Sequence, residues 1–318
     1  MFTVMTWNLE NLFRVGQPGG PSTAAAYEAK LRGLAAVIND HAPDVVAVQE
    51  VGDPAALDDA VALLNGSWQA QVSTHPDVRG IRVAWLSRRP ISDPAEITAF
   101  PALLRPVQCD DQGTTLGQMG RGAVAITVTT DAGVPVRLIT THLKSKLLTF
   151  PGGRFNPRDE DERARYAAYA LTRRAGEAAA LRAALTDALN GTGSPAVILT
   201  GDLNDTPQAA TTQLLLGPPG SEIGTRGFDQ PDRGDHQRMW NLAPLMPPGQ
   251  DYSRINSGRK ELIDHILVSH ALVAPLSTVT ARAIIGTPLA SIDPSDPAAR
   301  RDAPASDHAP VLATFTNL

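Results

Sequence analysis

The chain of 318 residues contains a single cysteine, Cys109, and only 5% aromatic residues. One thiol cannot form an intramolecular disulfide, and it cannot supply the thiolates of a cysteine-rich zinc site. No run of 18 apolar residues occurs, so we expect no membrane-spanning segment. The N-terminus has neither a basic region nor a long apolar core, so it is not typical of a signal peptide. We therefore expect a cytoplasmic protein.

The sequence also lacks an excess of positive charge. It has 28 Lys and Arg against 33 Asp and Glu, which gives a formal net charge of -5. A broad basic surface is thereby excluded, and any contact with a nucleic acid must come from a local cluster of Arg and Lys. No internal repeat and no clear linker divides the chain, so we predict one domain over residues 1–318.

The periodicity of apolar residues predicts helices that alternate with strands. Helices are expected at 24–41 and 159–190, with shorter ones beginning near Asp53 and Thr206. Strands are expected at 2–7, 45–48, 68–73, 81–87, 197–201, 262–268 and 276–284, with a further strand after His308. An antiparallel hairpin is expected to join 122–129 to 134–141. Loops are expected at 100–120, 145–158, 217–250 and 287–305. The hairpin disfavours a purely parallel doubly wound sheet and favours two packed sheets covered by helices.

The most informative stretch is Val197-Ile198-Leu199-Thr200-Gly201-Asp202-Leu203-Asn204-Asp205. An apolar strand ends at a glycine, and two oxygen-bearing side chains, Asp202 and Asn204, follow two positions apart. Alternate side chains of a strand share a face, so both side chains can leave the strand end in one direction. This pattern is typical of a functional site. It is equally typical of a strand followed by a turn into a helix that Thr206 and Pro207 begin.

The same pattern recurs along the chain, which tips the balance towards a functional site. Each of six predicted strands adjoins an acid, an amide or an imidazole, and these residues are Asn8, Glu50, His142, Asp202 with Asn204, Asp264 with His265, and Asp307 with His308. Each residue alone is compatible with a turn, a helix cap or an interior polar group. The recurrence at strand ends is hard to explain by chance, so we expect these side chains to converge.

Converging carboxylates need a cation, because like charges at close range raise one another's pKa. Oxygen ligands without thiolates select Mg²⁺, with Mn²⁺ or Ca²⁺ as alternatives, over zinc. Two nearby histidines, His142 and His308, can transfer protons or stabilise developing negative charge. Metal-assisted hydrolysis of a phosphate ester is the reaction class that best suits these groups.

Six motifs in order resemble the endonuclease/exonuclease/phosphatase superfamily, which has the deoxyribonuclease I and exonuclease III type of fold. The motifs are Thr6-Trp7-Asn8-Leu9, Val48-Gln49-Glu50-Val51, Thr141-His142-Leu143-Lys144-Ser145, Thr200-Gly201-Asp202-Leu203-Asn204-Asp205, Leu262-Ile263-Asp264-His265-Ile266 and Ser306-Asp307-His308-Ala309-Pro310-Val311. The resemblance runs from residue 3 to about 315. It implies a four-layer α/β/β/α sandwich of two mixed sheets with outer helices.

The resemblance also implies roles for the residues of these motifs. Glu50 would be the principal Mg²⁺ ligand, assisted by Asn8 and Asp307. His308 would be the general base for the attacking water, oriented by Asp264, and Asp202 would help to position that water. Asn204 and His142 would stabilise the pentacovalent phosphate. Arg121 resembles a phosphate-contacting arginine of the nucleases, although a solvated arginine at a strand start is an equally good interpretation.

Two features depart from the superfamily's pattern or vary within it. Position 265 is His where many members have another residue, and the sequence does not tell whether His265 touches a substrate or only packs. The predicted loops vary most among members. The loop at 145–158 carries the possible basic rim Lys144, Lys146, Arg154 and Arg158, which is also typical of an ordinary solvated loop.

Three functions remain open on this sequence. The leading one is a divalent-metal-dependent phosphodiesterase, a nuclease that hydrolyses DNA or RNA, although the net negative charge is unusual for binding to a phosphate backbone. The second is a phosphatase or phospholipase-like hydrolase that acts on a small phosphorylated metabolite or lipid headgroup. The third is an inactive binding module, against which the complete set of expected polar residues argues.

Overall fold

Two six-stranded sheets form the centre of the computed structural model, which describes residues 1–190, 195–230, 232–285, 289–292 and 299–318. The helices in these ranges are α1 (Ala24–His41), α2 (Pro54–Val61), α3 (Glu160–Leu189) and α4 (Ala210–Gln213). The strands are β1 (Phe2–Leu12), β2 (Val45–Val51), β3 (Gln69–Val72), β4 (Arg82–Ser87), β5 (Ser92–Ala99), β6 (Val107–Gln108), β7 (Thr115–Leu116), β8 (Gln118–Thr129), β9 (Pro135–His142), β10 (Ala196–Asp202), β11 (Met239–Asn241), β12 (Arg254–Asn256), β13 (Arg259–Glu261), β14 (Asp264–Ser269), β15 (Val279–Ala283) and β16 (Val311–Phe315).

Both large sheets are mixed. The first has the order β15-β16-β1-β2-β4-β3, and the second has the order β11-β14-β10-β9-β8-β5. In each sheet, one parallel pair lies among antiparallel neighbours: β1 with β2 in the first, and β9 with β10 in the second. Two small hairpins, β6-β7 and β12-β13, lie outside these sheets. Among the described residues, no helix has the length and apolar character needed to cross a membrane.

Apolar side chains fill three interfaces between four layers. The central interface joins the two sheets and contains, among others, Val4 and Trp85 from the first sheet and Ile126 and Ile198 from the second. The outer face of the first sheet packs on α1 and α2. The outer face of the second sheet packs on α3. This arrangement confirms the predicted α/β/β/α sandwich of two mixed sheets with outer helices.

Local sequence explains where several elements begin. The Thr23 hydroxyl accepts a hydrogen bond from the Ala26 amide at the start of α1, and Asp53 and Asp159 cap α2 and α3 in the same way. Helices favour such residues because the first backbone amides of a helix have no partner within it. The predicted hairpin is confirmed, since β8 and β9 pair from Ala123 opposite Thr141 to Thr129 opposite Pro135.

Other boundaries differ from the predictions. Strand β5 was not predicted, because most of its residues are exposed and carry no alternating apolar pattern. The predicted strand at 276–284 begins only at Val279, after a 3-10 turn at Leu276–Thr278. The short helix expected from Thr206 begins at Ala210. The predicted loop at 287–305 lies partly outside the described residues.

Candidate active site

Three adjacent strands of the second sheet bring the first three candidate residues together. Asp202, the last residue of β10, lies opposite His142 of the parallel strand β9 and opposite Asp264 of the antiparallel strand β14. The Nε2 atom of His142 lies 3.3 Å from Oδ2 of Asp202. All three side chains are buried. The ends of these three neighbouring strands therefore present two carboxylates and an imidazole side by side.

Gly201 permits the close approach of β10 to β9 just before Asp202. Its φ is +140°, and a Cβ atom built on it would lie 2.0 Å from the carbonyl oxygen of Thr141. A residue with a side chain cannot occupy this position unless the strands separate. The glycine thus sets the spacing between Asp202 and His142.

The first sheet contributes Asn8 and Glu50 from the parallel strands β1 and β2. The pairing of these strands is interrupted after Asn8, and Glu50 adopts a positive φ of 60°. In this conformation the Glu50 carboxylate accepts hydrogen bonds from the Asn11 amide, at 2.8 Å, and from Nδ2 of Asn8, at 3.3 Å. The same Asn8 nitrogen donates to Oδ2 of Asp202 at 2.9 Å. Asn8 therefore joins the two sheets at the site.

Buried Gln49 makes a second polar link between the sheets. Its Nε2 atom donates to the Thr6 hydroxyl of the first sheet and to the Thr140 hydroxyl of the second, both at 3.1 Å. All three side chains are fully buried, so these hydrogen bonds are shielded from water. Because Gln49 and Thr140 lie two residues or fewer from Glu50 and His142, the link fixes the sheets relative to each other at the site.

His308 approaches the site from the loop that precedes β16. Its Nδ1 atom lies 2.6 Å from Oδ2 of Asp264, and the neighbouring Asp307 places Oδ1 3.9 Å from its Nε2. Trp7 Nε1 donates to the His308 carbonyl oxygen at 2.8 Å, and the Ser306 hydroxyl donates to the carbonyl oxygen of Asn8 at 2.6 Å. The loop is therefore anchored to β1, which explains why residues 298 and 301 positions apart in sequence meet at one site.

Asn204 and Arg121 meet at the carbonyl oxygen of Leu143. The Nδ2 atom of Asn204 donates to it at 3.0 Å, and the Arg121 guanidinium donates to it at 3.4 Å. The backbone amide of Asn204 also donates to Oδ1 of Asp202 at 2.8 Å. Arg121 is largely buried and forms an ion pair with Asp77, whose Oδ2 lies 3.0 Å from Nε. Its guanidinium therefore lies beside the site but is already partly neutralised.

The electrostatic environment separates the protonation states of the two histidines. Burial lowers the pKa of His142 well below its ordinary value, and the charge of Arg121 lowers it further, so this ring is neutral near pH 7. Burial also opposes a charge on His308, but the carboxylates of Asp264 and Asp307 outweigh it and raise the pKa of His308 to about 10. The site thus holds one neutral imidazole and one imidazolium.

The ionisation of the Asp202 carboxyl is disfavoured. Burial is the main cause that raises its pKa to about 7, and the nearby charge of Asp264 adds to it. Asn8 and the Asn204 amide oppose this increase by donating hydrogen bonds to the carboxylate. The negative charge of the site is therefore incompletely compensated by the protein's own groups.

This incomplete compensation fits a hard divalent cation. Ligand atoms of Asp202, Asp264 and His308 lie within 4.8 Å of one another. The Oδ1 atom of Asp264 is buried and has no hydrogen-bond partner among the described residues, so it retains a free lone pair. Carboxylate oxygens are suitable ligands for Mg²⁺ or Mn²⁺. Asn8 turns its amide nitrogen towards the carboxylates, while its Oδ1 accepts a hydrogen bond from the Glu10 amide.

All nine candidate residues belong to one continuous group of contacts, which the preceding distances define: Asn8, Glu50, Arg121, His142, Asp202, Asn204, Asp264, Asp307 and His308. Sequence reasoning did not find Glu10, which accepts a hydrogen bond from the Asp307 amide at 2.9 Å and pairs with Arg300 at 2.7 Å. It also did not find Asp77, the partner of Arg121. Glu10 follows a strand-end motif directly, which is a usable signal, whereas Asp77 lies in a loop without one.

His265 does not belong to this group of contacts. It is fully buried, its Nε2 atom lies 2.8 Å from the carbonyl oxygen of Asp205, and its Nδ1 atom lies 3.1 Å from Nδ2 of Asn241. Burial lowers its pKa, so the ring is neutral and can donate to one partner while it accepts from the other. His265 therefore packs and supports the turn that follows β10.

The polar groups of the 145–158 loop are largely occupied by other protein groups. Lys144 donates to the carbonyl oxygens of Ser145 and Leu147, at 2.9 and 2.8 Å. Lys146 pairs with Asp205 at 3.1 Å, and Arg154 pairs with Glu162 at 2.8 Å. Two of the four residues of the possible basic rim, Lys146 and Arg154, are therefore paired with acids.

Comparisons with known proteins agree with this architecture. A sequence model described as "Endonuclease/Exonuclease/phosphatase family" matches residues 5–308. No curated protein of similar sequence was found. Similar solved structures include a mannosyl-6-phosphatase from Bacteroides thetaiotaomicron, which is 15% identical with a TM-score of 0.58 over 99% of each chain. The human nocturnin catalytic domain with bound sulfate is 16% identical with a TM-score of 0.56 over 99% of this chain and 94% of that one. D. rerio TDP2 complexed with a single-strand DNA product is 18% identical with a TM-score of 0.54 over 99% and 98%.

Proposed function

Because the chain belongs to the endonuclease/exonuclease/phosphatase family, we propose that it is a divalent-metal-dependent phosphodiesterase whose substrate is DNA or RNA. The observation that carries this proposal is the convergence of Asp202, Asp264 and His308 within 4.8 Å of one another. Neutral His142 lies on one side of this cluster, and Asn8 connects it to Glu50 on the other. Such a set of groups suits phosphoryl chemistry, in which positioning and charge stabilisation provide most of the rate.

The carboxylates of Glu50 and Asp307 are our proposed holders of Mg²⁺, with Mn²⁺ or Ca²⁺ as alternatives. Asn8 assists by fixing the Glu50 and Asp202 carboxylates relative to each other. When bound, the cation supplies Lewis acidity towards a phosphate oxygen and neutralises the carboxylate charge. The unpartnered oxygen of Asp264 and the raised pKa of Asp202 support the presence of a cation in this region.

His308 is our proposed general base, and Asp264 is its orienting partner at 2.6 Å. The contact between Nδ1 and Asp264 leaves Nε2 free to face a water molecule. Since the surrounding carboxylates raise the pKa of His308 to about 10, the ring must lose a proton before it can accept one. A cation held by Asp307 would offset the charge of that carboxylate and so lower the pKa of His308. Asp202 helps to position the same water.

His142 and Asn204 are our proposed stabilisers of the pentacovalent phosphate. The Nε2 atom of neutral His142 lies next to Asp202. From this position, Nε2 can donate a hydrogen bond to a phosphate oxygen. The Asn204 amide lies next to the same carboxylate. Arg121 provides positive charge behind these groups and is the proposed substrate-binding residue. Donors fixed in advance in a buried site stabilise developing charge without reorganisation, which is the main source of their effect.

A specific observation favours a second candidate, a phosphatase or phospholipase-like hydrolase of a small phosphorylated metabolite or lipid headgroup. Three cations near the site are already paired with acids, namely Arg121 with Asp77, Arg174 with Asp205 and Lys146 with Asp205. A long phosphate backbone is bound mainly by unpaired Lys and Arg, whereas a single phosphate needs few of them. One of the similar structures is itself named as a mannosyl-6-phosphatase.

A substrate panel tests both candidates. Purified protein is incubated with supercoiled plasmid, single-stranded RNA, bis-p-nitrophenyl phosphate and p-nitrophenyl phosphate, each with Mg²⁺, Mn²⁺, Ca²⁺ or chelator. Metal-dependent nicking that His308→Ala abolishes supports the nuclease. Cleavage of the small esters alone supports the second candidate. Turnover of no phosphoester with any divalent ion overturns the enzymatic assignment and leaves the inactive binding module.

Glu50→Gln tests the assignment of the metal ligand. The substitution keeps the shape of the side chain and the hydrogen-bond acceptor for the Asn11 amide, but it removes a negative charge. We expect the concentration of Mg²⁺ needed for half-maximal activity to rise at least about tenfold and maximal activity to fall by orders of magnitude. Unchanged activity and unchanged metal dependence would remove Glu50 from the ligand set. Glu28→Gln, an exposed substitution on α1, is the matched control.

A further inference from the structure

A cavity of about 320 Å³ lies beside the proposed metal ligands and has no role in the chemistry described above. Its lining residues are Glu10, Asn11, Pro18, Gly19, Lys30, Arg300 and Arg301. This volume greatly exceeds the ~30 Å³ that one water molecule occupies in the liquid. The lining carries three cationic side chains and one carboxylate, so the cavity has a formal excess of positive charge.

Lys30 is the unusual member of this lining. Its side chain is only 4% exposed, and its ammonium donates a hydrogen bond to the carbonyl oxygen of Glu10. Among the described residues, no carboxylate oxygen lies within 4.0 Å of this ammonium. Buried charges are normally paired, because removing an ion from water is costly. An ammonium has three donors, so two remain for a group inside the cavity.

The two arginines complete the cationic wall. Arg300 uses Nε and one terminal nitrogen to bind both oxygens of Glu10, each at 2.7 Å, so the one carboxylate that the described residues contribute to the lining is already neutralised. Arg301 donates through Nε to the carbonyl oxygen of Gly20 at 2.8 Å. In the described part of the chain, its terminal nitrogens make no hydrogen bond. The terminal nitrogens of Arg301 are therefore free to bind two oxygens of one anion in a bidentate contact.

The cavity adjoins the proposed metal ligands through its own lining. The Asn11 amide donates to Glu50 at 2.8 Å, and the Glu10 carboxylate accepts a hydrogen bond from the Asp307 amide at 2.9 Å. Residues that line the cavity therefore also hold two of the proposed ligands. A substrate with two anionic groups could place one at the reacting position and the other in the cavity.

We propose that this cavity binds a phosphate-sized oxyanion through Lys30 and Arg301. A phosphate suits it because it accepts several charge-assisted hydrogen bonds from a lysine and a forked arginine. The anion is either a second phosphoryl group of the substrate or free phosphate. The first of these two sources rests on the proposed hydrolytic function, whereas the binding of the anion does not.

Binding of inorganic phosphate to the full chain in the presence of a chelator is the primary test, because it requires neither metal nor turnover. Isothermal titration calorimetry is applied to the wild type, Arg301→Ala and Lys30→Met, with Arg32→Ala as the matched control. Arg32 is an exposed arginine on α1, the helix that carries Lys30, and it does not line the cavity. We expect saturable binding that Arg301→Ala and Lys30→Met each weaken at least about tenfold and that Arg32→Ala leaves unchanged.

Two results overturn the proposal. The first is the absence of saturable phosphate binding to the wild type. The second is phosphate binding that neither Arg301→Ala nor Lys30→Met weakens, because such binding would place the anion outside the cavity. Because Lys30 is buried, circular dichroism checks that its variant folds. Arg301 is exposed enough for its variant to keep the test decisive if Lys30→Met does not fold.

A pair of substrates distinguishes the two sources of the anion. Thymidine 5′-(p-nitrophenyl phosphate) is compared with the same ester bearing a 3′-phosphate. If the second phosphate binds in the cavity, it lowers KM in the wild type, and Arg301→Ala removes this advantage without changing KM for the simple ester. Equal KM values, together with phosphate binding that Arg301→Ala weakens, assign the cavity to free phosphate. If neither ester is cleaved, the hydrolytic function fails, while the calorimetric result for the anion remains valid.

Discussion

Substitution of Gly201 by alanine perturbs the site through the backbone alone. The glycine precedes Asp202 and lies opposite Thr141 in the parallel pairing of β10 with β9. A Cβ atom at this position would meet the Thr141 carbonyl oxygen at 2.0 Å, whereas an ordinary contact requires at least 3.4 Å. The obstacle is backbone in the middle of a sheet and cannot rotate away as a side chain could. The two strands must therefore separate.

The expected magnitude follows from two contributions. Forcing an additional carbon atom into a packed region costs about 1–3 kcal/mol. Placing a residue with a side chain in such a sparsely populated backbone conformation costs about 1–3 kcal/mol more. We therefore expect Gly201→Ala to lower the free energy of unfolding by about 3 kcal/mol. Separation of the strands also moves Asp202 away from His142, and a displacement of about 1 Å at a reacting centre reduces the rate roughly 100-fold.

Two other glycines separate these contributions. Gly133 has a φ of 75° and open space around its Cβ position, so Gly133→Ala measures the conformational cost without a clash. Gly117 has neither a positive φ nor a neighbour within 4 Å, so Gly117→Ala should leave stability unchanged or raise it slightly. Urea unfolding measures stability, and hydrolysis of bis-p-nitrophenyl phosphate measures activity.

The series has a definite order of outcomes. Gly117→Ala and Gly133→Ala should keep wild-type activity, whereas Gly201→Ala should lose most of it under conditions in which it remains folded. If Gly201→Ala keeps wild-type stability and turnover, the close approach of β10 to β9 is not a requirement of the site. If it loses stability but retains activity, the spacing between Asp202 and His142 does not control the rate.

Three further outcomes are expected. Asp264→Asn should reduce turnover at least about 1,000-fold, because His308 loses its orienting carboxylate, and steady-state kinetics with an intact circular dichroism spectrum measure this. Burial opposes the ionisation of Asp205, but the Thr211 hydroxyl and Arg174 outweigh it and lower the pKa of this carboxyl. Its carboxylate therefore stabilises the fold above its unfolded pKa, and this stabilisation is lost as pH falls below about 4. In Asp205→Asn, the free energy of unfolding measured in urea should therefore fall less steeply over that pH range. His265→Leu should cost about 2 kcal/mol of stability, because the Asp205 carbonyl oxygen loses its buried donor, and a loss below about 0.5 kcal/mol would contradict the packing role.

The sequence predicted the parts of the fold that carry a clear local pattern. Helix α1 buries a periodic apolar face, and β8 and β9 flank a recognisable turn. Helix α3 was predicted from a composition rich in Ala, Arg, Glu and Leu, and β10 was predicted from a continuous apolar run. Strand β5 was missed because it lies at a sheet edge with mostly exposed side chains and contains a proline. The pattern disappears where an element does not bury a face, so periodicity cannot detect it.

The candidate site could be predicted as a set of residue types but not as a network. Polar residues at the ends of buried strands indicated which side chains converge, since strands order their own ends in space. The sequence did not indicate that Asp77 pairs with Arg121, because that contact depends on the path of a loop. It also gave no sign of the cavity around Lys30, since a lysine on a predicted helix is normally exposed.

The arrangement of the acids explains why the site belongs to the whole fold rather than to one motif. Asp202 and Asp264 lie on the second sheet, Glu50 lies on the first, and Asn8 bridges the two. The raised pKa of Asp202 means that its ionisation opposes folding: its contribution to stability is full below the unfolded pKa near 4 and is lost as pH rises through about 7. A fold selected for stability alone would not retain this charge in its interior. A buried acid whose ionisation costs stability at neutral pH, placed where two sheets meet, is typical of a functional site.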